Sequence, residues 1–521
     1  MLRVELIRPV PQLLVERADR FGGKVAFYDD RRSLTYRQLA DRSRRLAGHL
    51  VAAGVKPGER VLIYLDNSVE TAESYLMATR ASVVGVCVNP EAAPAEIGYM
   101  LADSDARVII TDQAHLAHVR QLVRERGNLL ILVTGAEDAG ADVASYEKWA
   151  TTEPTSPARD DLGLDDVAWM LYTSGTTGRP KGVLLTQRSC LWVVAACWAP
   201  IAGLSDVDTV LCPLPLFHSY ALDLCVLGVF VTGATERILP KFSPGRVLDL
   251  LAEESFTVLP GVPTMFAYLV RTARERAVTA GALRLCISAG AILPAALNAE
   301  FEEVFGVQLL EGYGITETST MVTMNWPSGG RVLGSCGLPV PGVGVRLVDP
   351  VTGADVGTGE EGELWVSGPN LMRGYHNRAE ATGEVLQHGW YRTGDLGRRD
   401  PNGFLTISGR TKELIIRGGE NIYPAEVEGV LLAAEGVRDA AVVARKHADL
   451  GEVPVAFVVP EVPGELDVPA LLELCGRELS RFKVPADVVE IDTIPRTGSG
   501  KIKRFRLQEL LSVTHDPGAR D

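Results

Sequence analysis

Positive charge is in short supply in this sequence. Lys and Arg together number 52 against 66 Asp and Glu in 521 residues, a formal net charge of −14. An acidic average surface repels phosphate backbones, so general nucleic-acid binding is not expected. The eight cysteines (Cys87, Cys190, Cys197, Cys212, Cys225, Cys286, Cys336 and Cys475) contain no C-x-x-C pair, and most lie in apolar stretches. That pattern belongs to free buried thiols in a reducing compartment. Long apolar runs are missing too, since the longest, Leu224 to Val231, is far short of a membrane span. The amino terminus, MLRVELIRPVPQLL, carries Glu5 and Pro9 and has no continuous apolar core, so it does not read as a signal peptide. A cytoplasmic protein with no membrane and no nucleic-acid partner is expected. The hydrophobic share of 46% and charged share of 23% exclude disorder and collagen-like repeats, and the length suggests several domain-sized units.

Helical and strand periods alternate through the first 150 residues. Thr35-x-x-Gln38 has the form of a capping box, followed by Leu39, Leu46, Leu50 and Val51 at helical spacing. Gly54 and Pro57-Gly58 stop that helix, and Val61 to Leu65 reads as a buried strand. A helix from Glu70 to Ser82 is expected next, with later strands at 84–88, 108–111, 129–133, 257–259 and 283–288. Strands recurring between helices predict α/β layers with mostly parallel sheets. After about residue 330 short alternating runs predict a smaller β-rich subdomain. The polar, Gly-rich stretch 409–419 reads as a hinge, and an α+β pattern follows it. The expectation is α/β: a large N-terminal domain of layered α/β sheets with a small β-rich subdomain (1–408), then a small mobile α+β domain (409–521).

The most specific local feature is YTSGTTGRPKGV at 172–183. Thr173, Ser174, Thr176 and Thr177 supply hydroxyls, Gly175 and Gly178 let backbone amides approach an anion, and Lys181 adds a point charge. Such a loop suits a polyphosphate, yet it lacks the Gly-Lys-Ser/Thr order of a Walker A loop. Further motifs follow: LPLFHSY (214–220), SAGAILP (288–294), EGYGITETS (311–319), GWYRTGDLG (389–397), GRTKELIIRGGENIYPAEVE (409–428) and PRTGSGKIKR (495–504). In this order the chain resembles the adenylate-forming superfamily of acyl- and aryl-CoA ligases, peptide-synthetase adenylation domains and beetle luciferases.

The resemblance implies ATP and Mg2+ as cofactors. It places Tyr313 and the Gly290, Ala291, Glu311 and Gly312 segments around adenine, Thr316 at the α-phosphate and Glu317 on the metal. A carboxylate is a hard ligand suited to magnesium. Asp395 would take the ribose hydroxyls with Arg410 assisting, and Lys501 would meet the substrate carboxylate and phosphate. Lys412 stands at the hinge position, Gly419 at the thiol tunnel, and His218 at the gate between acid site and tunnel. The implied chemistry is adenylation of a carboxylic acid with loss of pyrophosphate, then transfer to a thiol after the last domain rotates.

The acid pocket is expected among Phe217, Tyr220, Ala221, Asp223, Ser288, Gly314, Ile315 and Met321. Asp223 is the one acidic group in an apolar stretch, and a lone buried carboxylate calls for a cation. A substrate ammonium would supply it. The chain on this reading resembles stand-alone enzymes that load a (β-)amino acid onto a discrete acyl carrier protein, with a medium-chain or aryl acid–CoA ligase as the alternative. No carrier domain is seen before the last residue, so the thiol acceptor is expected in trans, as a carrier protein or CoA. An acidic carrier would need a local basic surface, for which Arg445, Lys446, Arg481, Lys483, Lys503, Arg504 and Arg506 are the candidates.

Overall fold

The capping box expected at Thr35 forms. The Gln38 amide donates to Thr35 Oγ1 at 3.3 Å and the Thr35 amide to Gln38 Oε1 at 2.9 Å, opening the helix Tyr36–Ala52. The computed structural model describes residues 2–126, 129–135, 140, 142–173, 180–276, 280–418, 420–497 and 500–514. The second expected helix runs Val69–Arg80, and every residue in it is buried. Such a helix has no solvent face to mark its period. Its Glu73 is held instead by a two-pronged contact with Arg42, at 2.8 and 2.9 Å. A buried carboxylate is tolerated when a guanidinium forks onto it.

Two mostly parallel sheets form the large unit, one of eight strands and one of nine. In the first, Arg60–Tyr64 lies between Val84–Cys87 and Ala106–Thr111, all parallel, while Val167–Thr173 and Lys181–Thr186 pair antiparallel at one side. In the second, Thr235–Ile238, Thr209–Cys212, Val258–Gly261, Leu285–Ser288 and Leu309–Tyr313 run parallel and adjacent. One hydrophobic core containing Val61, Val210, Phe230 and Leu285 joins both sheets. The β-rich subdomain is a five-stranded antiparallel sheet that includes Gly344–Val348, Glu361–Ser367, Trp390–Arg399 and Leu405–Arg410.

The strand Leu405–Arg410 carries the subdomain sheet two residues past the expected boundary at 408, and the turn at 411–413 follows it. The last unit has its own five-stranded sheet and two apolar clusters, around Ile415, Val427 and Leu431 and around Val443, Phe457 and Leu507. A separate core is what an independently moving domain requires. Of the expected hinge pair, Lys412 lies in the turn, while Gly419 lies outside the described residues, as does the segment 515–521. Among the described residues no helix is long and apolar enough to cross a membrane. All eight cysteines are free and buried.

Candidate active site

Four adjacent parallel strands end on one edge of the nine-stranded sheet. Each delivers a motif there: Thr209–Cys212 leads to His218, Val258–Gly261 to Met265, Leu285–Ser288 to Gly290, and Leu309–Tyr313 to Thr316 and Glu317. The carboxyl edge of a parallel sheet is where α/β folds gather ligand groups. The last strand must then fold back on itself, because Tyr313 pairs with Thr323 and Gly312 with Met324. A Cβ at Gly314 would lie 1.2 Å from the Thr320 carbonyl oxygen, so only glycine fits. Ser319 and Thr320 take positive φ, 50° and 102°, to complete the reversal. The result presents Glu317 from a single helical turn, Thr316–Thr318.

The β-rich subdomain brings Asp395 against this edge. Asp395 pairs in register with Arg410, whose Nε lies 2.8 Å from its Oδ1, and the Tyr313 hydroxyl donates to Oδ2 at 2.5 Å. Asp395 holds the Arg410 guanidinium well above its usual pKa, against the effect of burial. Glu317 accepts from the Tyr375 hydroxyl at 2.9 Å, and the Lys181 ammonium stands 5.0 Å above the Tyr375 ring. Tyr375 thus ties the phosphate-loop lysine to the acidic turn, and nothing in the sequence motifs pointed to it. Of the loop itself, Thr173 pairs with Lys181 across two strands, and Ser174, Gly175, Thr176, Thr177 and Gly178 lie outside the described residues.

Lys501 enters from the last unit. Its loop is tied by Arg496, which pairs with Asp439 at 2.7 Å and donates to the Gly500 carbonyl at 2.9 Å, while the Lys501 amide donates to Thr497 Oγ1 at 3.1 Å. Burial and the nearby Arg410 push the Lys501 ammonium below its ordinary pKa, and Asp395, Glu317 and Glu413 oppose the shift. His218 is pushed down to about 3 by burial and by Lys501. Its Nδ1 accepts from the Tyr220 amide at 3.3 Å, so the neutral ring carries its proton on Nε2. His218, Tyr220 and Ala221 line a cavity of about 220 Å³ together with Phe242, Met265 and Tyr268 and with Arg496 and Gly500 of the last unit. The cavity is therefore mainly apolar and closed in part by the last unit.

The other expected pocket residues are placed differently. Phe217 and Ile315 are half-buried beside the core, and Met321 packs under Gly312, where a Cβ would meet its methyl at 2.1 Å. Ser288 is fully buried with an unpartnered hydroxyl. Gly290 takes a φ of +89°, and Ala291 next to it is exposed. Asp223 is not on the cavity wall. Its Oδ1 accepts from Trp198 Nε1 at 2.6 Å, its Oδ2 has no partner, and burial raises its pKa well above the usual carboxylate range. Burial thus favours the protonated, neutral carboxyl, which calls for no cation. Asp223→Asn keeps the acceptor for Trp198, and its ATP–pyrophosphate exchange should stay within about twofold of wild type. A loss of a hundredfold or more would restore a charged role to this side chain.

Glu311 lies buried on the strand leading to Tyr313. Its Oε1 accepts from the Leu293 amide at 3.2 Å, its Oε2 is unpartnered, and burial raises its pKa to about 7. Below about pH 4.5 the carboxyl is protonated in both folded and unfolded chains and imposes no penalty. As pH climbs from 4.5 to 7 the unfolded chain releases its proton first, and stability falls by about 3 kcal/mol in all. Glu311→Gln should therefore raise the melting temperature at about pH 8 and do so much less at about pH 5. Equal gains at both values would show that ionisation of Glu311 is not the cause.

Four of the seven candidate cations of the last unit are ion-paired within it. Arg445 pairs with Asp487 at 3.0 Å, Lys483 with Glu426 at 2.7 Å, Arg506 with Glu509 at 3.0 Å, and Arg504 with both Glu413 (2.9 Å) and Glu428. The cationic surface suggested by sequence is thus partly neutralised within the domain.

Comparison with known proteins agrees with this geometry. The model of the AMP-binding enzyme family matches residues 14–376, and that of the AMP-binding enzyme C-terminal domain matches 426–501. A naringenin synthase of Pestalotiopsis fici is 39% identical over 96% of the chain, although the chain spans only 19% of that protein's length. A feruloyl-CoA synthase of an Amycolatopsis species is 38% identical, with 90% of this chain and 92% of that protein aligned. Among solved structures, an anthranilate CoA ligase in complex with anthranoyl-AMP superposes with a TM-score of 0.91 at 27% identity, covering 97% of this chain and 98% of that one.

Proposed function

The chain belongs to the AMP-binding enzyme family, and on that premise we propose that it is an acid–CoA ligase acting on an aromatic carboxylic acid through an acyl-adenylate. The observation that carries this reading is the meeting of Lys501 with Glu317, Asp395 and His218 beside one apolar cavity. In the first half-reaction a carboxylate oxygen attacks the α-phosphorus of ATP. The bond to the β-phosphate oxygen breaks, pyrophosphate leaves, and an acyl-AMP remains. Lys181 and Lys501 offset charge on the phosphate oxygens, and little covalent work falls to the protein. Glu317 fits a magnesium site: it makes no ion pair among the described residues, and its one described side-chain hydrogen bond comes from a phenol. Magnesium bound there with ATP would supply further charge stabilisation.

In the second half-reaction a thiol sulfur attacks the acyl carbon and AMP leaves. We place the division between units just after the strand Leu405–Arg410, with Lys412 in the hinge turn, and a rotation there withdraws Lys501 between steps. Gly419 is assigned to the thiol tunnel by motif position alone. The neutral His218 ring serves as an uncharged wall between acid and thiol, in keeping with its pKa of about 3. The eight free buried thiols suit a cytoplasmic setting.

Two findings favour CoA and an aromatic acid over an amino acid and a carrier protein. Burial favours the neutral form of Asp223, which lies off the cavity wall, and four of the seven candidate carrier-docking cations are ion-paired within the domain. The names feruloyl-CoA synthase and anthranilate CoA ligase denote aromatic acids, which an apolar cavity lined by Phe242, Met265 and Tyr268 suits. ATP–pyrophosphate exchange with aryl, fatty, α-amino and β-amino acids tests the choice. Aryl acids should dominate; dominance of a β-amino acid would restore aminoacyl transfer to a carrier protein.

A further inference from the structure

Glu236 is fully buried on the strand Thr235–Ile238, and neither of its carboxylate oxygens has a hydrogen-bond partner. An uncompensated carboxylate in a core is costly and calls for a neutralising partner. Unlike Glu73 on the neighbouring buried helix, it has no arginine. It has two thiols instead. Register pairing sets Glu236 opposite Val210, so it shares a sheet face with Cys212, two residues further along the adjacent strand. Over that face runs the helical segment Leu222–Gly228, which contributes Cys225. The two sulfurs and a Glu236 oxygen all lie within 4.8 Å of one another, and all three residues are buried.

We propose that Cys212, Cys225 and Glu236 hold a structural, thiophilic divalent cation of the zinc type. Thiolate and carboxylate are both zinc donors, with bonds of about 2.3 Å to sulfur and about 2.0–2.2 Å to oxygen. The Cys212 thiol donates to the Leu214 carbonyl oxygen at 3.6 Å, a hydrogen bond that metal binding would replace. Binding breaks the two S–H bonds, and those protons, with the carboxyl proton where present, pass to solvent; no electron moves, so no oxidant is needed. The location gives the ion a task. Cys212 and Cys225 bracket the segment 213–224, which carries His218, Tyr220 and Ala221, so the ion fastens both ends of the cavity wall.

The test is metal analysis of the purified full chain expressed with added zinc and dialysed against a chelator, together with cobalt loading followed by absorption spectroscopy. About one zinc per chain and a thiolate-to-cobalt charge-transfer band are expected, both lost in Cys225→Ala and retained in the remote Cys475→Ala. Pyrophosphate exchange by the variants confirms that they fold. Wild-type protein that takes up neither metal overturns the proposal, and so does a folded Cys225→Ala that binds as much as wild type. Should Cys225→Ala fail to fold, the wild-type measurement decides alone. Neither result depends on which acid the enzyme activates.

Discussion

Lys501→Ala should lower the rate of ATP–pyrophosphate exchange by about 10²–10³ while leaving thioester formation from supplied acyl-AMP within a fewfold of wild type. The magnitude is that of removing one charge-stabilising donor at a developing transition state. The asymmetry follows from geometry. Lys501 comes from the last unit, on a loop tied by Arg496, Asp439 and Thr497, and reaches the acidic groups of the large unit from outside. On the proposed scheme it serves the step for which that unit is docked in this orientation, and a rotation would take it away from the other. Equal loss in both half-reactions, measured by exchange and by thioester formation from synthetic acyl-AMP, would refute two working orientations.

Asp395→Asn should raise the KM for ATP by about 10- to 100-fold with a smaller change in kcat. Hydrogen bonds to a charged group contribute about 1.5–3 kcal/mol, and a ribose held by Asp395, as proposed, would be held alike before and during the reaction. Uniform binding of that kind appears in KM. The same carboxylate balances Arg410 and receives the Tyr313 proton, so the substitution also leaves a guanidinium without its counter-charge. Arg410 keeps partial access to water, which limits the stability cost. A large fall in kcat at unchanged KM would place Asp395 at the reacting phosphate instead of the sugar.

Local chemistry proved readable where it depended on neighbours in sequence. Thr35 and Gln38 cap a helix because three residues separate them, and the glycine at 314 is dictated by a reversal completed six residues later. The motifs also announced Lys501, Glu317, Asp395 and Arg410, and the fold gathers them at one sheet edge. What escaped were properties set by distant partners. Asp223 reads as a charge until its burial beside Trp198 and Cys190 is seen, which favours the neutral carboxyl. The basic residues of the last unit read as a surface until Asp487, Glu426, Glu413 and Glu428 appear across strands and helices. Tyr375, which links Lys181 to Glu317, has only a Gly-Tyr dipeptide to mark it. Protonation and pairing are three-dimensional facts, and one sequence lists only the groups that take part.

The central claim is that one site makes an acyl-adenylate and then a CoA thioester. Product analysis after incubation with ATP, magnesium, the preferred aryl acid and CoA tests it most directly. AMP, pyrophosphate and acyl-CoA are expected in equal amounts, with acyl-AMP accumulating when CoA is withheld. Formation of ADP and phosphate, or AMP release without any thioester, would contradict it.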